Sequence, residues 1–237
     1  RLVTEPDEFP DVYRVGDTAP YFPDDLVPKD EEGLGARGGT LGVDIVLEAY
    51  RKGIFPWTGA DPIPWHAPDP RMLLLPTQIH RSRSLRKLER RGGFDVRYDT
   101  AFRETMEACA TVPPRGMDGT WITENMLEVY GELHDMGYAH SVEIWRDDAL
   151  VGGIYGLALG RAFFGESMFS REPNTSKLAL SALCRRLEAR SYMFLDCQQA
   201  TWHLASLGGC IAYHDVFRTA LTQALTFETE RGRWRDD

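Results

Sequence analysis

The chain has 237 residues, 43% of them hydrophobic, with 27 Lys or Arg against 36 Asp or Glu, a formal net charge of −9. That length suits one large domain, or a large domain with a small companion, while the acidic balance argues against nucleic-acid binding through attraction to the whole surface. No apolar run reaches the roughly 18–20 residues that span a bilayer, and no charged-then-apolar leader opens the sequence, so the expected location is the cytoplasm, away from membranes.

Residues 1–35 are rich in Pro, Asp and Glu and read as irregular, anchored by Tyr21 and Phe22. After Gly38 and Gly39 an amphipathic helix is expected over residues 44–52, with Ile45, Leu47, Ala49 and Tyr50 facing a core and Gly53 at the position of a C′ glycine. Residues 54–70 carry five prolines and two tryptophans, which precludes a long helix and suggests an ordered loop with a short strand or hairpin. A strand over 73–75 ends at Pro76. The expected division is a small N-terminal domain, residues 1–72, and a larger one, residues 73–237.

The larger part alternates. Helices are expected over 80–91, 100–110, 123–136 (capped by Thr123 and closed by Gly137), 176–189 and 216–227, with a helical turn at 203–207. Strands are expected over 94–98, 139–146, 150–159, 162–168 and 194–198. The sum is an α+β (mixed α/β) protein whose sheet is largely antiparallel.

Cys109, Cys184, Cys197 and Cys210 form no CxxC pair, and their spacing fits no common zinc pattern. Free thiols and no metal are expected.

Residues 80–91 read HRSRSLRKLERR, in which Arg81, Arg83, Arg86, Lys87, Arg90 and Arg91 are six of twelve. On a helix, Arg83, Arg86, Lys87 and Arg90 share one face and Leu85 and Leu88 another. This is either a phosphate-binding ridge or a solvated basic face.

Residues 163–171 read FFGESMFSR. Glu166 stands among Phe163, Phe164, Met168 and Phe169, where a carboxylate is costly to bury unpaired. It holds a cationic or amino group of a substrate, or makes a structural ion pair with Arg171. Residues 195–198 read LDCQ. Strand alternation puts Asp196 and Gln198 on one face and turns Cys197 away, which sets Cys197 aside as a nucleophile; His203 is read as a supporting residue. Trp57, Trp65 and Trp121 lie outside regular apolar periods and are either loop anchors or stacking platforms for a base.

Eight blocks then converge: GIFPW at 53–57, W followed by PDPR at 65–71, GTWIT at 119–123, HSVEIW at 140–145, VGGIYG at 151–156, GESMFSR at 165–171, LDCQ at 195–198 and HLASLG at 203–208. In this order, over about residues 20–215, the chain resembles the bacterial leucyl/phenylalanyl-tRNA–protein transferases. The resemblance implies a small N-terminal domain before a GNAT-like acyltransferase domain. It implies transfer of Leu or Phe, and less readily Met, from aminoacyl-tRNA to proteins beginning with Lys or Arg, marking them for N-degron degradation. No metal or other cofactor takes part, and the expected state is a monomer.

Residue by residue, the resemblance makes Asp196 and Gln198 orient the attacking amine and assist loss of its proton, and Glu166 hold the acceptor's N-terminal region. Ile154, Phe163, Met168, Leu180, Leu183 and Leu195 are its candidates for the amino-acid pocket. Trp57 and Trp121 would contact the terminal adenosine, and Arg81, Arg83, Arg86, Lys87 and Arg90 the acceptor-stem phosphates. Replacing Asp196 by Ala is expected to cripple transfer without unfolding. Three departures from the family pattern, His66, Trp202 and Gly209, bear on acceptor specificity. The competing readings are an aminoacyl-tRNA-dependent transferase acting on another acceptor and a non-catalytic RNA-binding module. A coenzyme A acetyltransferase is disfavoured because the Gly-rich pyrophosphate loop is missing.

Overall fold

In the computed structural model, which describes residues 12–26, 28, 30–57, 61–112 and 120–235, the chain divides into two units, Arg1–Asp69 and Pro70–Asp237, each with its own sheet. The fold is of the mixed α/β class expected.

In the first unit, β1 (Tyr13–Val15), β2 (Leu34–Gly38), β3 (Phe55–Pro56) and β4 (Pro64–His66) form a sheet in the order β1-β2-β4-β3, alongside α1 (Val43–Arg51). Helix α1 buries Ile45, Val46, Leu47, Ala49 and Tyr50. Gly53 takes a φ of +75° and returns its N–H to the Tyr50 carbonyl at 3.0 Å, closing the helix as its position suggested. Phe22 is buried with its ring 5.0 Å from that of Trp65, edge to face.

Strand β1 lies within residues 1–35, expected to be irregular, and β2 begins at their end; residues 1–11, 27 and 29 lie outside the described residues. Strand β1 has only three residues, mostly exposed. Strand β2 buries Leu34, Gly35 and Ala36 in succession, so neither shows the alternation that reveals a half-buried strand. The hairpin suggested within 54–70 is β3 paired antiparallel with β4. Trp65, in β4, is fully buried and donates its indole N–H to the Gly38 carbonyl at 3.0 Å. It is an anchor, and its ring is not available as a stacking platform.

The second unit holds β5 (Arg71–Leu74), a 3-10 turn (Pro76–Gln78), α2 (Arg83–Arg91), β6 (Asp95–Tyr98), α3 (Phe102–Thr111), α4 (Glu124–Asp135), β7 (Ala139–Arg146), β8 (Ala149–Leu159), β9 (Ala162–Ser170), α5 (Thr175–Ala189), β10 (Phe194–Asp196), α6 (Trp202–Ser206), β11 (Cys210–Ala212) and α7 (His214–Ala224). Its seven strands run in the order β11-β5-β10-β9-β8-β7-β6. Neighbours are antiparallel except β9 and β10, which are parallel and joined through α5.

Local chemistry accounts for most boundaries. Asp147 and Asp148 both take positive φ, the conformation that folds β7 onto β8 in a tight hairpin. The Thr123 side chain accepts from the Met126 N–H and starts α4. The basic helix begins at Arg83, later than expected, because Ser82 caps it by accepting from the Leu85 N–H at 3.2 Å. Leu178, Ala179, Leu183 and Leu187 of α5 pack with Val142, Ile144 and Phe163 of the sheet to form the core. Among the described residues, no helix is long and apolar enough to cross a membrane.

Candidate active site

The site is built where the parallel pair separates. Strands β9 and β10 stay in register through Phe164 and Asp196. Beyond that point β9 bulges: Gly165 pairs with Gly156 and Ser167 with Tyr155, leaving Glu166 as an extra residue with no cross-strand partner on β8. A bulge re-aims its side chain out of the strand's alternation, so Gly165, Glu166, Ser167 and Met168 all reach one cavity. The bulge requires a residue without a side chain opposite it, since a Cβ on Gly156 would collide with the Phe164 carbonyl oxygen.

Strand β10 ends at Asp196, two residues earlier than expected, and Gln198 takes a φ of +64°. The alternation rule therefore stops short of Gln198. Cys197 lines the cavity, whereas Asp196 is fully buried behind it, the reverse of the expected placement. Burial, then the neighbouring Asp196 carboxylate, pushes the Cys197 thiol well above its ordinary pKa, so the thiol stays protonated.

A line of polar contacts runs from the core to the cavity. Arg71 of β5 grips Asp196 with Nε at 2.9 Å from Oδ1 and Nη2 at 2.7 Å from Oδ2. Asp196 Oδ1 accepts the Gln198 backbone N–H at 2.8 Å, and Gln198 Nε2 donates to Glu166 Oε1 at 2.9 Å. The other Glu166 oxygen accepts the Tyr130 hydroxyl at 3.4 Å. Arg171, weighed from the sequence as the ion-pair partner of Glu166, instead donates Nη1 to the Leu150 carbonyl at 2.6 Å.

The cavity has a volume of about 240 Å³. Ile154, Met168, Leu180 and Leu195 supply an apolar wall, Glu166 and Ser167 a polar edge, and Thr201, His203 and Leu204 the α6 side. Of the six pocket residues expected, four line it. Phe163 and Leu183 are buried in the core and do not.

The family described as leucyl/phenylalanyl-tRNA protein transferase matches residues 73–222, and its N-terminal domain matches residues 39–69. Relatives named leucyl/phenylalanyl-tRNA–protein transferase occur in Myxococcus xanthus, Thiobacillus denitrificans and Syntrophus aciditrophicus. They are 45%, 48% and 49% identical to this chain, covering 95%, 92% and 86% of it and 97%, 96% and 86% of their own lengths. The chain belongs to the leucyl/phenylalanyl-tRNA–protein transferase family. A solved aminoglycoside N-acetyltransferase in complex with CoA overlaps 61% of this chain and 94% of its own, at 14% identity and a TM-score of 0.32.

Against the blocks of the transferase family, the remaining expected residues fall as follows. Arg81, Arg83, Arg86, Lys87 and Arg90 are all exposed on or beside α2. Glu89, the one acid of that segment, is drawn inward by the Ser181 hydroxyl at 2.6 Å and Arg185 at 3.2 Å. Trp57 and Trp121 are half-buried and belong to different units. Trp57 meets the His66 ring edge to face at 5.1 Å, and His66, nearly fully buried, stacks on Phe55. Burial lowers the His66 pKa, so the residue supplies a neutral aromatic ring at neutral pH. At Gly209, a Cβ would sit 2.6 Å from Met72 Sδ and 2.9 Å from the Leu204 carbonyl oxygen, so the glycine fits a close approach there.

Sequence reasoning missed Arg71, Tyr130, Ser167, Thr201 and Leu204. The PDPR block contained Arg71, but nothing local signals a partner 125 residues away. Asp196→Ala also loses its expected role as a clean probe. Removing one member of a buried ion pair costs about 3–5 kcal/mol, because the other charge is left buried alone.

Proposed function

We propose that this chain transfers Leu or Phe from aminoacyl-tRNA to the N-terminal amine of acceptor proteins at the cavity between β9 and β10. The observation that carries this reading is the cavity itself: an apolar wall of Ile154, Met168, Leu180 and Leu195, with Glu166 at its edge and Gln198 hydrogen-bonded to Glu166. Phe163 and Leu183 support that wall from behind. A thioether side chain fits the same kind of wall, which is the basis for slower transfer of Met.

The amino-acid side chain occupies the cavity and its ester carbonyl lies at the edge. The acceptor amine attacks that carbonyl. A C–N bond forms, the ester C–O bond breaks, and the amine proton ends on the departing ribose oxygen. Glu166 holds the cationic N-terminal region, which favours Lys or Arg there, and Gln198 orients the amine. The α-amino group of a polypeptide titrates near 7.7–8.0, so a useful fraction is neutral at pH 7 and positioning carries much of the acceleration. Asp196, fully buried, acts through Gln198. Trp121 of the larger unit stacks on the terminal adenosine, and the exposed α2 ridge meets acceptor-stem phosphates. In this reading the protein is a cytoplasmic monomer with a GNAT-like transferase domain, works without metal or cofactor, and marks its products for N-degron degradation.

One observation favours a shifted acceptor preference: Trp202 is 93% exposed at the start of α6, between the cavity residues Thr201 and His203.

The test is transfer of labelled Leu and Phe from charged tRNA to peptides beginning with Lys, Arg and other residues. Transfer to the Lys and Arg peptides is expected, with Ile154→Phe lowering transfer of Phe more than of Leu by filling the cavity. No transfer by folded protein to any peptide overturns the reading.

A further inference from the structure

We propose that Arg71 is a positioning residue for transfer, acting through Asp196 to aim the Gln198 amide at Glu166; this rests on the function proposed above. Asp196 and Arg71 are 0% and 1% exposed. Both carboxylate oxygens are engaged: Oδ1 takes Arg71 Nε and the Gln198 N–H, and Oδ2 takes Arg71 Nη2. An acid so enclosed neither faces the cavity nor has an oxygen turned toward an incoming amine. Its one contact leading toward the cavity is the Gln198 backbone N–H.

That contact has a geometric task. Gln198 sits at a φ of +64°, a conformation unfavourable for a residue with a side chain, which persists only where the surroundings over-determine it. Three bonds to β5 and β10 do so. Met72 N–H donates to the Gln198 carbonyl at 3.2 Å, the Cys197 N–H donates to the Met72 carbonyl at 2.9 Å, and the Gln198 N–H donates to Asp196 at 2.8 Å. The first two are fixed by the backbone of β5. The third depends on where the Asp196 side chain points, and the Arg71 guanidinium fixes that with a bidentate grip. The Phe217 ring centroid lies 4.6 Å from the guanidinium carbon and also packs on Arg71. With the backbone held, the Gln198 side chain reaches Glu166 Oε1 at 2.9 Å. Displacing a catalytic group by about 1 Å can cost on the order of a hundredfold in rate, so the grip matters although Arg71 never meets substrate.

A lysine in place of Arg71 supplies a point charge without the planar fork. For folded Arg71→Lys we expect kcat for transfer of Phe to a Lys peptide to fall by roughly tenfold or more, with KM for Phe-tRNA within about twofold of wild type. Asp196→Asn is expected to show a loss of similar size, and the Arg71→Lys/Asp196→Asn double variant to be no slower than Asp196→Asn alone, because the effect of Arg71 on transfer runs through that carboxylate. Losses that multiply, or a normal kcat in Arg71→Lys, overturn the proposal. Should the single variants fail to fold, Arg71→Met combined with Asp196→Leu replaces the ion pair by an apolar pair, which cores often accept; a normal kcat there overturns it equally. The Gln198 backbone and side-chain amide resonances give a readout independent of turnover. They are expected to move in Arg71→Lys, and unchanged positions overturn the proposal. If wild-type protein transfers to no acceptor, the function above fails while the resonances still decide whether Arg71 positions Gln198.

Discussion

Gln198 Nε2 donates to Glu166 Oε1 across 2.9 Å, joining the residue extruded by the β9 bulge to the residue just past the end of β10. The contact spans the opening between two strands that are parallel neighbours a few residues earlier. Replacing Glu166 by Gln keeps the shape and removes the charge. A hydrogen bond to a charged group contributes about 1.5–3 kcal/mol, so KM for a Lys or Arg peptide should rise on the order of tenfold to a hundredfold with little change in KM for aminoacyl-tRNA. Acceptor titrations at saturating charged tRNA measure this; an unchanged acceptor KM contradicts the role given to Glu166.

Gly156 should tolerate no substitution. A Cβ there strikes the Phe164 carbonyl, which lies in the ladder between β8 and β9 next to the bulge. Gly156→Ala is expected to cost about 1–3 kcal/mol of stability, the usual range for overpacking, and to remove transfer activity by pulling Glu166 out of line. Denaturant melts and the transfer assay together test it. A stable, active variant would mean the bulge relaxes freely.

The α2 ridge predicts a salt effect. Arg83, Arg86, Lys87 and Arg90 are exposed, and Glu89 is turned toward Ser181 and Arg185, leaving that outward face with one sign of charge. Replacing Arg86 or Lys87 by Ala should weaken tRNA binding and lower the slope of log K against log salt by roughly one per lost phosphate contact. Arg81 already leans to Glu89 at 3.7 Å and should matter less. Binding isotherms at several salt concentrations decide this, and slopes equal to wild type would remove the ridge from the tRNA interface.

Stability should fall in mild acid. His140 is fully buried, with Nδ1 2.8 Å from Asp99 and its ring stacked 4.1 Å from that of Trp234. Burial lowers its pKa, against the pull of Asp99 and with the help of His134 and Arg186. The unfolded chain takes up that proton near pH 6.5 while the folded protein resists it. The contribution is therefore present above about pH 6.5 and is lost as the pH falls below it. Glu143, its pKa raised by burial, has the opposite sign and gains stability as the pH falls toward 4.5. Comparing wild type with His140→Gln isolates the histidine: between pH 7 and 5.5 wild type should lose up to about 1.4 kcal/mol per pH unit more than the variant. Parallel curves would refute this.

Long periodic elements were legible in the sequence. Helix α4 follows from the Thr123 cap and Gly137, and α1 from its apolar face and Gly53. Strands β1 and β11 were not, since they have three residues each and no period to detect. In the site, Glu166 stood out as a carboxylate among aromatics, but its aim depends on a bulge that only the pairing with β8 reveals. The faces of Asp196 and Cys197 came out reversed for a related reason. Alternation holds only while a strand continues, and β10 stops at Asp196.

Strand β5 lies between β11 and β10, so the first strand of the larger unit is flanked by its last two. Strands β7, β8 and β9 close on sequence neighbours through short turns, but Arg71 and Asp196 meet across 125 positions. Loop-closure entropy makes such distant pairings slow to form. The folding order that follows is a hairpin sheet first and capture of β5 last, with the Arg71 charge leaving water only when Asp196 arrives. Refolding measured through Gln198 should therefore lag refolding measured through the β7–β8 hairpin, and a chain stopped before residue 194 should keep the hairpins but form no site.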